Sequence, residues 1–230
     1  MISLRTTAKQ LRDLIQLRIY RPSHLRISLQ DYFDLRPPAE ILQANTVHLQ
    51  AAMAWLCRAQ DANGDGGVAS RYRLSKGWGA SYPETTGYII PTFFDCAGAA
   101  QNTAHRRRAL RMADWLLTVQ HENGAFPAHD VSVLPEPRVF NTGQALFGLV
   151  RAFRETGEEI YLQASLRAGD WLVSVQDADG AWTKFEYYFR AHTYHAAVDW
   201  PLLELFRATQ KNVYRDAAIK NLAWVLAQQQ

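Results

Sequence analysis

The stretch SVQDADGAW spans Ser174–Trp182. TVQHENGAF stands earlier at Thr118–Phe126, and RAQDANGDG earlier still at Arg58–Gly66. Each copy closely follows a tryptophan. Aligned on that residue, AAMAWLCRAQ, RMADWLLTVQ, RAGDWLVSVQ and KNLAWVLAQQ centre on Trp55, Trp115, Trp171 and Trp224, at spacings of 60, 56 and 53 residues. Every Trp is followed by Leu or Val, and by Gln five positions on. In the first three copies Gly64, Gly124 and Gly180 stand four residues past that Gln. A period near 55 residues predicts a structural repeat of two helices and their loops.

The helical reading rests on periodicity. Met112, Trp115 and Val119 fall at i, i+3 and i+7, one face of a helix. The Asn-Gly and Asp-Gly pairs suit a left-handed residue ending that helix. Residues 68–82 and 126–140 read as loops, with Gly, Pro and Ser scattered through them. A second helix starts after each loop: ETTGYIIPTFFDCAGAA from Glu84, NTGQALFGLVRAFRETG from Asn141 and TYHAAVDWPLLELFRAT from Thr193. Asn141 and Thr193 read as N-caps, and Pro91 is expected to bend the first of these helices. No segment alternates long enough to demand a strand. The expected fold is all-α: an α/α toroid of repeated antiparallel helix pairs over residues 41–230, preceded by a basic helical segment over residues 1–40.

The run Gln176-Asp-Ala-Asp-Gly180-Ala-Trp182 has the form Q-x-x-x-G-x-W. It resembles the QW repeat of the terpenoid cyclase and protein prenyltransferase superfamily, whose members are α/α toroids. Gln120 to Phe126 is a one-residue variant, and the Gln60–Gly64 copy has lost the aromatic. YPETTGYIIPTFFD, at residues 82–95, is similar to toroid proteins of bacterial polysaccharide-biosynthesis loci. QDANGDGG resembles, more distantly, a turn of some pectate lyases. The resemblance implies that each Gln bonds a neighbouring turn with the aromatic packed beside it. Trp55, Trp115, Trp171, Trp224 and Trp182 are then packing residues. The Asp-x-Asp-Asp motif of protonating cyclases is missing, as is the spaced zinc-ligand set of the prenyltransferases, so neither isoprenoid reaction follows.

Composition narrows the class. Of 230 residues, 48% are hydrophobic and 20% charged, which is ordinary for a globular chain. A net charge of +3 is too mild to argue for nucleic acid. Cys57 and Cys96 have no metal spacing and form no disulfide framework, which makes a reducing cytoplasm the expected location. The opening MISLRTTAKQLRDLIQ carries charges throughout and does not read as a signal peptide. Arg5, Lys9, Arg12, Arg18, Arg21 and Arg26 face only Asp13 in the first 30 residues. This basic run is either a solvated helix face or a peripheral contact with an anionic membrane.

Function is expected where the repeats differ, on the rim where the second helices begin. The first copy contributes Tyr82, Glu84 and Thr85, with Trp78 outside the repeat register as a further ligand candidate. The second contributes His129, Asp130, Arg138 and Asn141. The third contributes Lys184, Glu186, Arg190, His192, Tyr194 and His195. Polar and aromatic groups on such a ring suit an elongated, hydroxylated or anionic ligand. Glu84, Tyr194, His195 and His192 are the candidate proton-transfer residues. Trp78, Tyr82, Asp130, Arg138 and Asn141 are the candidate substrate contacts. Asp130 is also a possible carboxylate partner for Glu84, whereas Asp65 reads as a turn acid. Neither a cofactor nor a metal ion is called for. The expected ligand is a glycan. The expected activity is that of a lyase, hydrolase or epimerase on a uronate-containing polysaccharide. The alternatives are a non-catalytic scaffold and a protein binding polyprenyl-linked glycan. The chain reaches a fourth Trp motif without its Gly turn. A toroid of six pairs needs on the order of 330 residues. The chain is therefore expected to be part of a longer toroid or an open one, with a second copy or another partner on its exposed flank.

Overall fold

The computed structural model describes residues 11–33, 44–100, 103–131 and 136–229. Two compact units emerge, one drawn from Met1–Ala59 with Arg71–Gly79, the other from Gln60–Ser70 with Ala80–Gln230. Arg5 and Lys9 lie outside the described residues, as does part of the expected 1–40 segment.

The first unit contains α1 (Pro22–Tyr32) and most of α2 (Asn45–Asp61). It also holds a minimal hairpin of β1 (Tyr72–Arg73) and β2 (Gly77–Trp78), paired Tyr72 to Trp78. No alternation announces this hairpin in the sequence, because two residues per strand are too few to show a period. Its aromatic residues hold it in place. Trp55 and Trp78 lie 4.7 Å apart by ring centroid, and Tyr72 lies 5.0 Å from Trp78. His24 is buried, with Nε2 3.0 Å from the Tyr72 hydroxyl and Nδ1 3.0 Å from the Leu17 carbonyl.

The second unit is built of three helix pairs. They are α3 (Pro83–Ala100) with α4 (Thr103–Val119), α5 (Val139–Thr156) with α6 (Glu159–Ser174), and α7 (Ala196–Thr209) with α8 (Asn212–Ala227). Helices α3, α5 and α7 pack side by side as an inner row, and α4, α6 and α8 form the outer row. The outer helices are amphipathic at the helical period. In α4 the buried set is Ala109, Met112, Ala113, Trp115 and Leu116, and α6 repeats it with Tyr161, Ala164, Ala168, Trp171 and Leu172. Helix α5, flanked by α3 and α7, is buried over most of its circumference. Gly157, at φ 72°, ends it in the left-handed conformation that glycine takes without steric cost. Pro91 lies inside α3, which continues through it to Ala100.

The repeated Gln is an inter-repeat staple. Gln120 Nε2 donates to the Gly124 carbonyl at 3.0 Å and to the Ala164 carbonyl of α6 at 2.9 Å. Gln176 does the same to Gly180 (3.1 Å) and to Ala217 of α8 (2.9 Å). Gln60 reaches Gly66 (3.2 Å) and Arg108 of α4 (3.0 Å). One side chain thus closes its own turn and ties that turn to the next outer helix. Two further links repeat alongside it. The Tyr161 hydroxyl donates to Asp114 at 2.6 Å, and that of Tyr214 to Asp170 at 2.7 Å. Gly64, Gly124 and Gly180 have φ of 73°, 93° and 99°. They lie within the turns, several residues past the helix ends, and not at the helix C-termini the sequence had pointed to.

Trp115 and Trp171 are both 6% exposed and occupy matching positions. Trp182 is fully buried and donates from Nε1 to the Leu172 carbonyl at 2.9 Å. The packing role does not extend equally to the outer copies, since Trp55 is 44% exposed and Trp224 only half-buried.

Removing one staple is a direct test. Gln120→Leu leaves the Gly124 and Ala164 carbonyls without their side-chain donor. It should lower stability by about 1–2 kcal/mol, whereas Gln163→Leu on the exposed face of α6 should change it by less than about 0.5 kcal/mol. Equal urea midpoints for the two variants would remove the staple from the account.

Candidate functional site

The inner helices begin at one rim, and a threonine latches the loop before each of the first two. Thr86 Oγ1 donates to the Tyr82 carbonyl (2.8 Å) and accepts from the Val68 N–H (2.9 Å). Thr142 repeats this with the Arg138 carbonyl (2.8 Å) and the Phe126 N–H (2.9 Å). Tyr82, Arg138 and Tyr194 are spaced by 56 residues, so the three stand at matching points of successive repeats.

A cavity of about 250 Å³ opens among Glu84, Arg138, Phe140, Asn141, Glu186 and Tyr194. On one wall, Asn141 Nδ2 donates to the Tyr82 phenol oxygen (2.8 Å) and to the Ala128 carbonyl (3.2 Å). That phenol oxygen lies 2.5 Å from Glu84 Oε2 and 3.0 Å from the Ala128 carbonyl. Tyr82 has one proton and two acceptors, so the state of Glu84 decides where it points. With Glu84 ionised, the phenol donates to the carboxylate. With Glu84 neutral, the acid donates to the phenol oxygen and the phenol turns to Ala128. Burial raises the Glu84 pKa above its ordinary value, and the Tyr82 hydrogen bond partly offsets this. Asn141 is not the N-cap of α5. The helix begins at Val139 after Arg138, which makes no side-chain cap, and Asn141 sits inside the first turn with its amide committed to Tyr82.

Also lining the cavity, Glu186 is 3% exposed, with Oε1 3.1 Å from His195 Nε2. The pair is close enough for charge pairing but not aligned as a hydrogen bond. Glu186 Oε2 makes a long 3.5 Å contact with the Tyr194 hydroxyl. His195 is fully buried and stands edge-on to Trp182, with ring centroids 5.8 Å apart. His192 stacks on Tyr194 at 4.8 Å, and Phe140 meets Tyr194 edge-on at 5.3 Å. The two histidines belong to a 3₁₀ turn and its approach, with rings 78° apart, and share no helix face. Arg138 closes the cavity and donates to Glu136 Oε2 at 3.1 Å.

The structure therefore brings Glu84, Arg138, Asn141 and Tyr194 into one cavity, with Tyr82 behind Glu84, His195 behind Glu186, and His192 against Tyr194. It does not place Asp130 there. Asp130 accepts from Ser70 Oγ at 3.4 Å, and the second carboxyl of the cavity is Glu186. Trp78 belongs to the first unit, packed with Trp55 and Tyr72. Asp65 accepts from the Gly67 N–H and from Ser81, as a turn acid does. Among the described residues, no three His, Cys, Asp or Glu side chains gather to hold a metal ion, and no helix is long and apolar enough to cross a membrane.

Sequence reasoning missed Asp199. It is 1% exposed, and neither oxygen has a hydrogen-bond partner among the described residues. It stands 56 residues after Gly143, itself 56 after Gly87, and that register was the available signal. A Cβ on Gly87 would lie 2.2 Å from the Gln144 carbonyl of the next inner helix. Helix α7 thus carries an acid where its predecessors carry no side chain. Burial pushes this carboxyl up to about 8. An unfolded Asp titrates near 3.9, so between about pH 4 and 8 the native state holds the extra proton. Stability contributed here is present at low pH and falls as pH rises, by at most about 1.4 kcal/mol per unit. Asp199→Asn mimics the neutral acid and abolishes that slope. The stability gap between variant and wild type should widen from pH 5 to pH 8; parallel curves would mean that Asp199 titrates normally.

No family model matches the chain, and no curated protein does. Among solved structures the chain is similar to a GH76 α-mannanase of Bacteroides thetaiotaomicron, with a TM-score of 0.64 and 18% identity. The match covers 77% of this chain and 54% of the mannanase chain, so it spans about half the length of that structure. This likeness and the helix pairs make the fold all-α, of the α/α-toroid type.

Proposed function

We propose that the second unit is a carbohydrate-active domain that binds a glycan in the rim cavity and cleaves it by acid–base catalysis. The observation that carries this reading is the meeting of two glutamates in unlike surroundings within one cavity. Glu84, held toward its neutral form by burial, is the proton donor to the departing glycosidic oxygen. Glu186, backed by His195, takes the proton of the attacking water. Phe140 and Tyr194 offer faces to a sugar ring, Asn141 a polar contact, and Arg138 a partner for a uronate carboxylate. The cavity is smaller than the roughly 300–1,000 Å³ of drug-sized pockets, which suits one ring or one end of a chain. The similarity to a named α-mannanase adds support at the level of fold, as does the QW-like stapling. In this reading the chain serves bacterial polysaccharide metabolism.

The test is release of new reducing ends from mannans and polyuronates, with calorimetric titration of the same oligosaccharides. Turnover of one class is expected. Binding without turnover across the panel would leave a glycan-binding domain. The absence of any heat with folded protein would remove the carbohydrate reading.

A further inference from the structure

The segment between Trp182 and the 3₁₀ turn before α7 adopts a costly conformation. Phe185, Tyr188 and Phe189 have φ of 58°, 63° and 50°, in the left-handed region that non-glycine residues avoid. The segment contains no glycine to relieve them. The result is an inverted display of side chains. Glu186 turns inward to His195 and is 3% exposed, while Tyr188 and Phe189 are turned out, 87% and 81% exposed. Its first residues are pinned. Thr183 donates from its N–H (2.8 Å) and its hydroxyl (2.7 Å) to Asp177 Oδ2, and the Val139 N–H of α5 donates to the Phe185 carbonyl at 3.4 Å. Backbone strain together with two exposed aromatics is unfavourable on both counts, and such arrangements gather at binding sites.

A second cavity, of about 450 Å³, lies beside this segment among Glu136, Pro137, Arg138, Lys184, Phe185 and Phe189. Arg138 lines both cavities, so the two adjoin at its side chain. The outer one offers an aromatic face and two cations, Lys184 and Arg138, with the exposed Glu136 paired to Arg138, where the inner one adds two carboxyls to Arg138. We propose that Tyr188 and Phe189 are a platform carrying the glycan chain as it leaves the rim cavity, with Lys184 and Arg138 binding uronate carboxylates along it. The substrate class is then an anionic polysaccharide several residues long, not a monosaccharide or disaccharide. This inference rests on the glycan reading of the rim cavity. Exposed aromatics are favoured platforms because a sugar's apolar face stacks on the ring while its hydroxyls stay in water. Holding the rings outward in advance removes the ordering cost from binding.

The experiment titrates the full chain with galacturonate oligomers of one to six residues and with neutral manno-oligosaccharides of the same lengths. Wild-type affinity should rise with length and be stronger for the uronates. Tyr188→Ala/Phe189→Ala should weaken the longest oligomers at least ten-fold and leave the shortest unchanged. Both side chains are exposed, so the thermal midpoint should stay put and confirm folding. Lys184→Gln should weaken uronates selectively and flatten their salt dependence. Unchanged length dependence in the double variant would overturn the platform while leaving the rim cavity intact. No binding of any oligomer to wild type would overturn the rim reading, and the platform with it. Concentration-dependent dimers that vanish in the double variant would assign the patch to a second copy of the chain and also overturn the proposal.

Discussion

Alanine at Gly124 should lower the stability of the second unit by about 3–5 kcal/mol, the sum of a strained backbone and a forced contact. Gly124 has φ 93°, and a Cβ there would lie 2.2 Å from the Arg167 carbonyl of the next outer helix. That carbonyl is backbone and cannot swing aside as a flexible side chain would. Gly64 supplies the control. It has φ 73°, but its missing Cβ would meet nothing within 4 Å. Gly64→Ala should therefore cost only the conformational part, about 1–2 kcal/mol. Gly180, whose Cβ would lie 2.5 Å from the Lys220 carbonyl, should behave like Gly124. Urea midpoints of the three variants measure this directly. If Gly64→Ala and Gly124→Ala prove equally destabilised, close approach of turn and helix is not why the glycine recurs.

Glu84→Gln should reduce turnover about 10²–10⁴-fold while leaving glycan affinity within a few-fold, the range expected on losing a general acid. Glu186→Gln should do the same through loss of the base. The pH profile separates the two. A general acid works only while protonated, so the rate falls as pH rises through the Glu84 pKa. Burial has moved that point above the ordinary value, which carries the descending limb toward neutrality. The Tyr82 hydrogen bond favours the ionised carboxylate. Removing it in Tyr82→Phe should therefore shift the descending limb to still higher pH. A limb that stays in place in Tyr82→Phe, or full turnover in Glu84→Gln, would take the acid role away from Glu84.

The sequence by itself determined the repeat, the helix pairs and the level at which the polar residues gather. Trp115, Gln120 and Gly124 could be read because their meaning is periodic. Each repeat must bury the same helix face and close the same turn against its successor, so selection writes the same residues at the same interval. The rim was legible for the same reason, since Tyr82, Arg138 and Tyr194 share one register. Only the tertiary structure decided which rim residues face one another. Asn141 looked like a cap because local sequence shows only the helix start, whereas its partner Tyr82 lies 59 residues away. Asp130 stood as a possible carboxylate partner of Glu84, but the backbone between Trp182 and α7 brings Glu186 to the cavity instead. That path runs through left-handed Phe185, Tyr188 and Phe189, residue types that give no local sign of such a conformation. Asp199 shares the register of Gly87 and Gly143, but its burial did not show, because an acid on a helix reads as solvated until the neighbouring helices close over it. Periodic contacts repeat their signal along the chain. A single contact between distant residues leaves none until the fold brings them together.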